Sequence, residues 1–178
     1  MQRAPRGHLL IVDDEAAILS TLKKALSLEG YAVDVAGGVR LAEERIRRGN
    51  YDLVLLDVAL PDGDGVELLG RLRAGGNDVV VLVMSGHGTV EAAVRATKLG
   101  ALDFLEKPLS TDRLLLVVDN ALRLQRAEAE AASLKAAAGY FDDLLGDSPA
   151  MNTLREQVGR LLAGVVARSG EIVRRHER

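Results

Sequence analysis

The sequence predicts an α/β fold: a five-stranded doubly wound parallel sheet followed by a long C-terminal linker helix. Three observations carry that expectation. Short apolar runs such as Leu53-Val-Leu-Leu56 read as strands buried on both faces. They alternate with stretches whose apolar residues recur at helical spacing. Glycine breaks at Gly30, Gly49, Gly75-Gly76 and Gly100 close each strand-helix unit. Such alternation implies parallel strands joined by right-handed crossovers.

The first strand is His8 to Val12, stopped by Asp13-Asp14-Glu15, after which Ala17, Ile18, Leu22, Ala25 and Leu26 mark a helix that ends at Gly30. Tyr31 to Val35 alternates like a strand with one polar face. Gly37-Gly38 break it, and Val39 to Arg48 form a short, charged helix. The third strand, Tyr51 to Asp57, ends on a carboxylate and runs into a Pro61-to-Gly65 turn, then a helix through Val66, Leu68, Leu69 and Leu72. Asp78 to Met84 is the fourth strand, ending on Ser85-Gly-His-Gly88, with Thr89 placed to cap the next helix. Ala101 to Leu105 is the last strand, stopped by Glu106-Lys107-Pro108.

Composition narrows the function classes. The chain has 178 residues, 48% of them apolar, enough for one core and an appendage. Two Phe, three Tyr and no Trp leave little aromatic surface for stacking nucleic-acid bases, and a net charge of -3 argues the same way, so no DNA contact by this chain is expected. With no Cys, thiolate catalysis and thiolate metal sites are excluded. No apolar stretch approaches the roughly 18 residues of a membrane span, and the first seven residues lead straight into a strand. The expectation is a cytoplasmic protein without membrane contact.

The strand ends concentrate the chemistry. Strand one delivers Asp13 and Asp14, strand three Asp57, strand four Ser85 and strand five Lys107; in a parallel sheet these share the carboxyl edge, where open α/β folds bind ligands. Crowded carboxylates need a cation, and oxygen-only ligands point to Mg²⁺. A hydroxyl and an ammonium suit a phosphoryl group, one donating a hydrogen bond and the other offsetting charge. The residues therefore describe a Mg²⁺-dependent site at which Asp57 attacks phosphorus. Taken singly, each has a plainer role: an aspartate at a strand end is commonly a turn or helix cap, and Asp62 and Asp64 read as turn formers. His8 reads as an edge-strand residue, His87 as a loop residue, and His176 as part of a charged tail.

The set Asp13-Asp14, Asp57, Ser85 and Lys107-Pro108, on these elements and at these spacings, resembles the receiver domain of bacterial two-component response regulators, a flavodoxin-like fold, over about Leu9 to Asn120. The resemblance implies that Asp57 is the phosphoacceptor, with a sensor histidine kinase as donor. It also implies Mg²⁺ on Asp14, Asp57 and the backbone carbonyl of Ala59, with Asp13 acting through a metal-bound water. Ser85 would turn toward the acyl phosphate, Lys107 would pair with it, and Phe104 would be an aromatic that changes rotamer between states. Ala59 and His87 fall where the family tunes dephosphorylation.

Ser85-Gly-His-Gly-Thr-Val-Glu-Ala-Ala-Val94 and Lys98 to Pro108 further resemble receivers of the nitrogen-regulation type, which precede a sigma-54-activating ATPase. Leu144 to Leu154 resembles the opening of that AAA+ domain. The resemblance stops near Val158, and no Gly-x-x-x-x-Gly-Lys-[Ser/Thr] loop occurs in 159–178, so no ATP hydrolysis is expected. The expected organisation is a tail over 1–7, a receiver over 8–120, a helical linker over 121–140, and the start of an AAA+ domain with a tail over 141–178.

From Thr111 the chain lacks Gly and Pro through Ala138 and is rich in helix formers. Leu115, Val118, Leu122, Ala129, Ala132 and Ala136 approximate a heptad seam, which predicts a homodimer through the fifth helix and linker. Two other readings fit parts of the pattern. One is a constitutive dimerisation module with an inactive acidic pocket. The other is a Mg²⁺-dependent phosphohydrolase, against which Ala59 stands where such enzymes carry a second acid.

Overall fold

In the computed structural model, which describes residues 4–86 and 90–144, the apolar runs form the predicted strands. β1 (His8–Val12) leads into α1 (Ala16–Leu28), and β2 (Ala32–Ala36) into α2 (Val39–Arg48). β3 (Leu53–Asp57) is followed by two short strands, β4 (Ala59–Leu60) and β5 (Gly63–Asp64), then by α3 (Gly65–Ala74). β6 (Val80–Ser85), α4 (Val90–Lys98), β7 (Asp103–Glu106) and α5 (Thr111–Leu144) complete the order. Within the Pro61-to-Gly65 segment, expected as a simple turn, Pro61 and Asp62 form the tip of a short antiparallel hairpin in which Ala59 faces Asp64 and Leu60 faces Gly63.

The main sheet is parallel throughout, in the order β2-β1-β3-β6-β7. Because β1 lies between β2 and β3, His8 belongs to an interior strand and not to the edge its sequence suggested. Strand order is a tertiary property that one strand's composition does not encode.

Alternation along the strands builds two cores, one on each face. Leu10, Val12, Val54, Leu56, Val81 and Val83 point toward α2, α3 and α4, where Val39, Ile46, Leu69 and Ala96 meet them. Leu9, Ile11, Leu53, Leu55, Leu82 and Met84 face the other way, onto Leu22 and Leu26 of α1 and Leu114, Val118 and Leu122 of α5. Leu53, Val54, Leu55 and Leu56 are all fully buried, as expected of a central parallel strand.

The heptad seam needs correction on this point. Val118 is fully buried and Leu122 is 3% exposed, both against the sheet, and Leu115 packs beside them. They are spent on the domain's own core and are not open to a partner helix. A stripe spaced by three and four residues serves a sheet face as readily as a coiled coil, so periodicity alone does not separate the two. Ala129, Ala132 and Ala136 are exposed.

By its internal packing the chain divides into a unit over 1–126, which holds the sheet, and a second over 127–178, in which 127–144 continue α5. The resemblance to an AAA+ opening beyond Leu144, His87, Thr89 and His176 lie outside the described residues. Among the described residues no helix is long and apolar enough to cross a membrane.

Candidate functional site

Parallel register brings the strand ends to one edge. Val12 pairs with Leu56 and Asp57 with Met84, while Ser85 pairs with Glu106, so the residues that follow β1, end β3 and β6, and follow β7 converge. Asp13 continues the ladder, its N–H donating to Ala36 O at 3.1 Å, while its Oδ1 accepts the Glu15 N–H at 3.0 Å and turns the chain toward α1. Asp13 is fully buried, Asp57 is 5% exposed and Asp14 is open to solvent. Ligand-capable oxygens of the three lie within 4.8 Å of one another.

Lys107 is set by its backbone, whose N–H donates to Ser85 O at 2.8 Å, and its peptide bond to Pro108 is cis. Its ammonium then reaches back between the buried acids, 2.9 Å from Asp57 Oδ2 and 2.6 Å from Asp13 Oδ2. Burial raises the Asp57 carboxyl above its ordinary value; the Lys107 hydrogen bond and charge oppose this and Asp13 adds to it. Burial pulls Lys107 down, but its hydrogen bonds to Asp13 and Asp57 outweigh that and hold it above the usual lysine value. It is therefore a cation at neutral pH.

The donor set fits a hard divalent cation. Three carboxylates against one ammonium leave an excess of two negative charges. Asp13 Oδ2, buried, has the Lys107 ammonium 2.6 Å away, and that one ammonium is shared with Asp57 Oδ2. Two buried carboxylates sharing one ammonium are left short of positive charge, which a divalent cation would supply.

The backbone after Asp57 is folded tightly over the site. Val58 N–H donates to Met84 O at 3.0 Å and Gly65 N–H to Val58 O at 2.8 Å; a Cβ on Gly65 would lie 1.9 Å from Asp57 O, so this position must be glycine. Asp64 caps α3, accepting from Val66 N–H at 2.6 Å and Glu67 N–H at 3.3 Å. Asp62 reaches α2 instead, where the Arg40 and Val39 N–H groups hold its carboxyl below the usual range. Asp64 therefore shapes the turn as expected, while the reach of Asp62 across 23 residues of sequence to Val39 was not legible. An aspartate in a Pro-Asp-Gly turn gives no sign of a distant partner.

Ser85, 6% exposed, ends β6 beside the Lys107 backbone. Phe104 pairs with Val83 and is half-buried against the α2–α4 face, so it stands on the sheet's face rather than among the acids. Ala59 opens β4, two residues beyond Asp57, and is exposed.

An acidic triad, a buried lysine and a serine at the carboxyl edge of a five-stranded parallel sheet define a receiver-type phosphoacceptor fold. The response regulator receiver domain model matches residues 9–119, and the chain belongs to that family, whose role is phosphorylation-dependent signalling. Among curated proteins it is 38% identical over 156 residues to the response regulator protein PilR of Pseudomonas aeruginosa, covering 88% of this chain and 34% of that one. It is 35% identical over 160 residues to the DNA-binding transcriptional regulator NtrC of Bradyrhizobium sp. (strain RP501 Parasponia), covering 89% and 33%. The solution structure of the beryllofluoride-activated NtrC4 receiver domain dimer superimposes with a TM-score of 0.62 at 44% identity, covering 65% of this chain and 96% of that one. The chain spans about a third of the length of these two curated relatives.

Proposed function

We propose that Asp57 accepts a phosphoryl group from a sensor histidine kinase and that the modified receiver resets a homodimer which governs a sigma-54-type ATPase and, through it, transcription. The observation that carries this reading is the Lys107 ammonium lodged between Asp13 and Asp57 at the sheet edge. An Asp57 carboxylate oxygen bonds to phosphorus as the donor's phosphorus–nitrogen bond breaks, and the electron pair leaves with the donor nitrogen. Asp13, Asp14, Asp57 and the Ala59 carbonyl would hold Mg²⁺, which when bound offsets charge on the transferring oxygens. Lys107, 2.9 Å from Asp57 Oδ2, would pair with the product phosphoryl group, and Ser85 would supply a hydroxyl donor from the neighbouring strand. In this reading the chain catalyses only its own phosphorylation and dephosphorylation.

The output follows from charge and packing. An acyl phosphate adds about 1.5 to 2 negative charges at the edge, drawing Ser85 and Lys107 inward and letting Phe104 repack beside α4 and β7. Val90, Val94, Leu102 and Leu116, on α4, before β7 and on α5, are apolar and exposed, which supports a dimer surface on this side of the receiver. In the linker, Ala129, Ala132 and Ala136 are exposed as well.

Intact mass after incubation with a small phosphodonor, with and without Mg²⁺, tests the reading. One added phosphoryl group is expected, absent without Mg²⁺ and absent in Asp57→Asn. A folded wild type that gains no mass with Mg²⁺ present would leave a dimerisation module with an inactive acidic pocket.

A further inference from the structure

The hairpin that follows the phosphoacceptor strand is anchored at its tip to a helix that supplies no residue to the site. Val39 N–H donates to Asp62 Oδ1 at 2.7 Å and Arg40 N–H to Asp62 Oδ2 at 3.1 Å. One carboxylate therefore caps the first turn of α2, whose own N-cap residue, Gly38, has no side chain to do so. The Arg40 Nε also stands 3.8 Å from Oδ2.

The surrounding residues are shaped around this contact. A Cβ on Gly38 would meet Asp62 Oδ1 at 2.5 Å. The Gly38 backbone, φ 176 and ψ 172, is extended and open to any residue, so it is the carboxylate that excludes a side chain there. Buried Val39 packs under the hairpin, its Cγ2 3.3 Å from where a Cβ of Gly63 would lie.

The two legs of the hairpin are held independently of the tip. Val58 hydrogen-bonds β6, and Asp64 caps α3. Between them, among the described residues, the side-chain hydrogen bonds that tie the tip to another element are those of Asp62. Leu60 and Gly63 form the last register pair before the tip, and Ala59 and Asp64 the next. A displaced tip is thus passed to Ala59 through a two-rung ladder.

We propose that Asp62 is a positioning residue for the phosphoacceptor site: by locking the hairpin tip to the α2 N-terminus, it holds the Ala59 carbonyl where it can share a divalent cation with Asp57. The inference rests on the proposed Mg²⁺-dependent role of Asp57. It makes the Gly38–Asp62 contact part of the metal site's support, since groups that orient a ligand from outside the coordination sphere commonly set affinity about 10- to 100-fold.

The test is Mg²⁺ titration of the full chain without phosphodonor, followed by the amide resonances of residues 57 to 59, for wild type, Asp62→Ala, Asp62→Asn and Gly38→Ala. Asp62→Ala removes the tether and the charge, whereas Gly38→Ala pushes the tether away and leaves the charge. Each is expected to weaken Mg²⁺ about 10-fold. Asparagine caps helices about as well as aspartate, so Asp62→Asn stays within about twofold of wild type. Phosphorylation at saturating Mg²⁺ should match wild type in all three variants, with the half-maximal Mg²⁺ concentration moved in Asp62→Ala and Gly38→Ala. Circular dichroism melts confirm that each variant is folded.

Equal weakening in Asp62→Ala and Asp62→Asn with Gly38→Ala unaffected would assign the effect to charge and overturn the proposal. So would Mg²⁺ affinities that match wild type in every variant. A wild type that binds no Mg²⁺ would instead remove the underlying reading of Asp57, which separates the two failures.

Discussion

Lys107 Nζ lies 2.9 Å from Asp57 Oδ2 while its backbone N–H is bonded to Ser85 O, so one residue ties the end of β3 to the end of the neighbouring β6. That pairing does not fully compensate Asp57, whose carboxyl stays above its ordinary value because burial and Asp13 outweigh the ammonium. Asp57→Asn should therefore stabilise the metal-free protein, because the amide removes a charge that burial and Asp13 disfavour. Thermal melts in chelator and in Mg²⁺ check it; a mutant that melts no higher than wild type in chelator contradicts the electrostatic account.

The sign of the pH dependence follows from the same groups. A carboxyl raised in the folded state contributes stability that is full below its unfolded value, about 4, and is lost as pH climbs through the raised folded value. Lys107, also raised, contributes stability that is full through neutral pH and lost only in the alkaline range, above about 10.5. Lys107→Met leaves the buried, already raised Asp57 carboxyl without its cation, at a cost of about 2 kcal/mol at pH 7.5. Protonation relieves that cost, so urea denaturation should show the gap to wild type narrowing at pH 5. A gap independent of pH counts against this account.

Leu122, 3% exposed, separates the two roles that its spacing allows. As a core residue, Leu122→Ala should cost about 2–5 kcal/mol of folding stability, with the loss independent of protein concentration. Were it a seam residue, the loss would grow on dilution as the dimer dissociates. Denaturation at two concentrations tenfold apart decides between them.

Gly65 has no room for a side chain, since a Cβ would sit 1.9 Å from Asp57 O. Gly65→Ala must open the Val58–Gly65 turn, at about 3 kcal/mol, the upper end of overpacking costs. The damage falls on the hairpin that carries Ala59, so Mg²⁺ affinity should fall together with stability. Calorimetry and a denaturation curve on the same sample check both; normal Mg²⁺ binding would show the turn relaxing without moving Ala59.

What the sequence determined by itself was chemistry tied to local pattern. Continuous apolar runs such as Leu53 to Leu56 require burial on both faces, which only a covered parallel sheet provides, and that in turn places Asp13, Asp57, Ser85 and Lys107 at one edge. The elements and the acidic cluster were legible for that reason.

Three features were decided only by the tertiary structure. β1 became an interior strand because pairing order depends on how the crossovers pack, which left His8 away from the edge. Val118 and Leu122 went to the sheet because that apolar face had to be covered within the same chain, whereas their spacing suited a partner helix equally well. Asp62 became the cap of α2 because folding brought a hairpin tip to a helix end that lacked a capping side chain of its own. Periodicity and turn chemistry report on near neighbours along the chain, while partners far apart in sequence are set by the packing that brings them together.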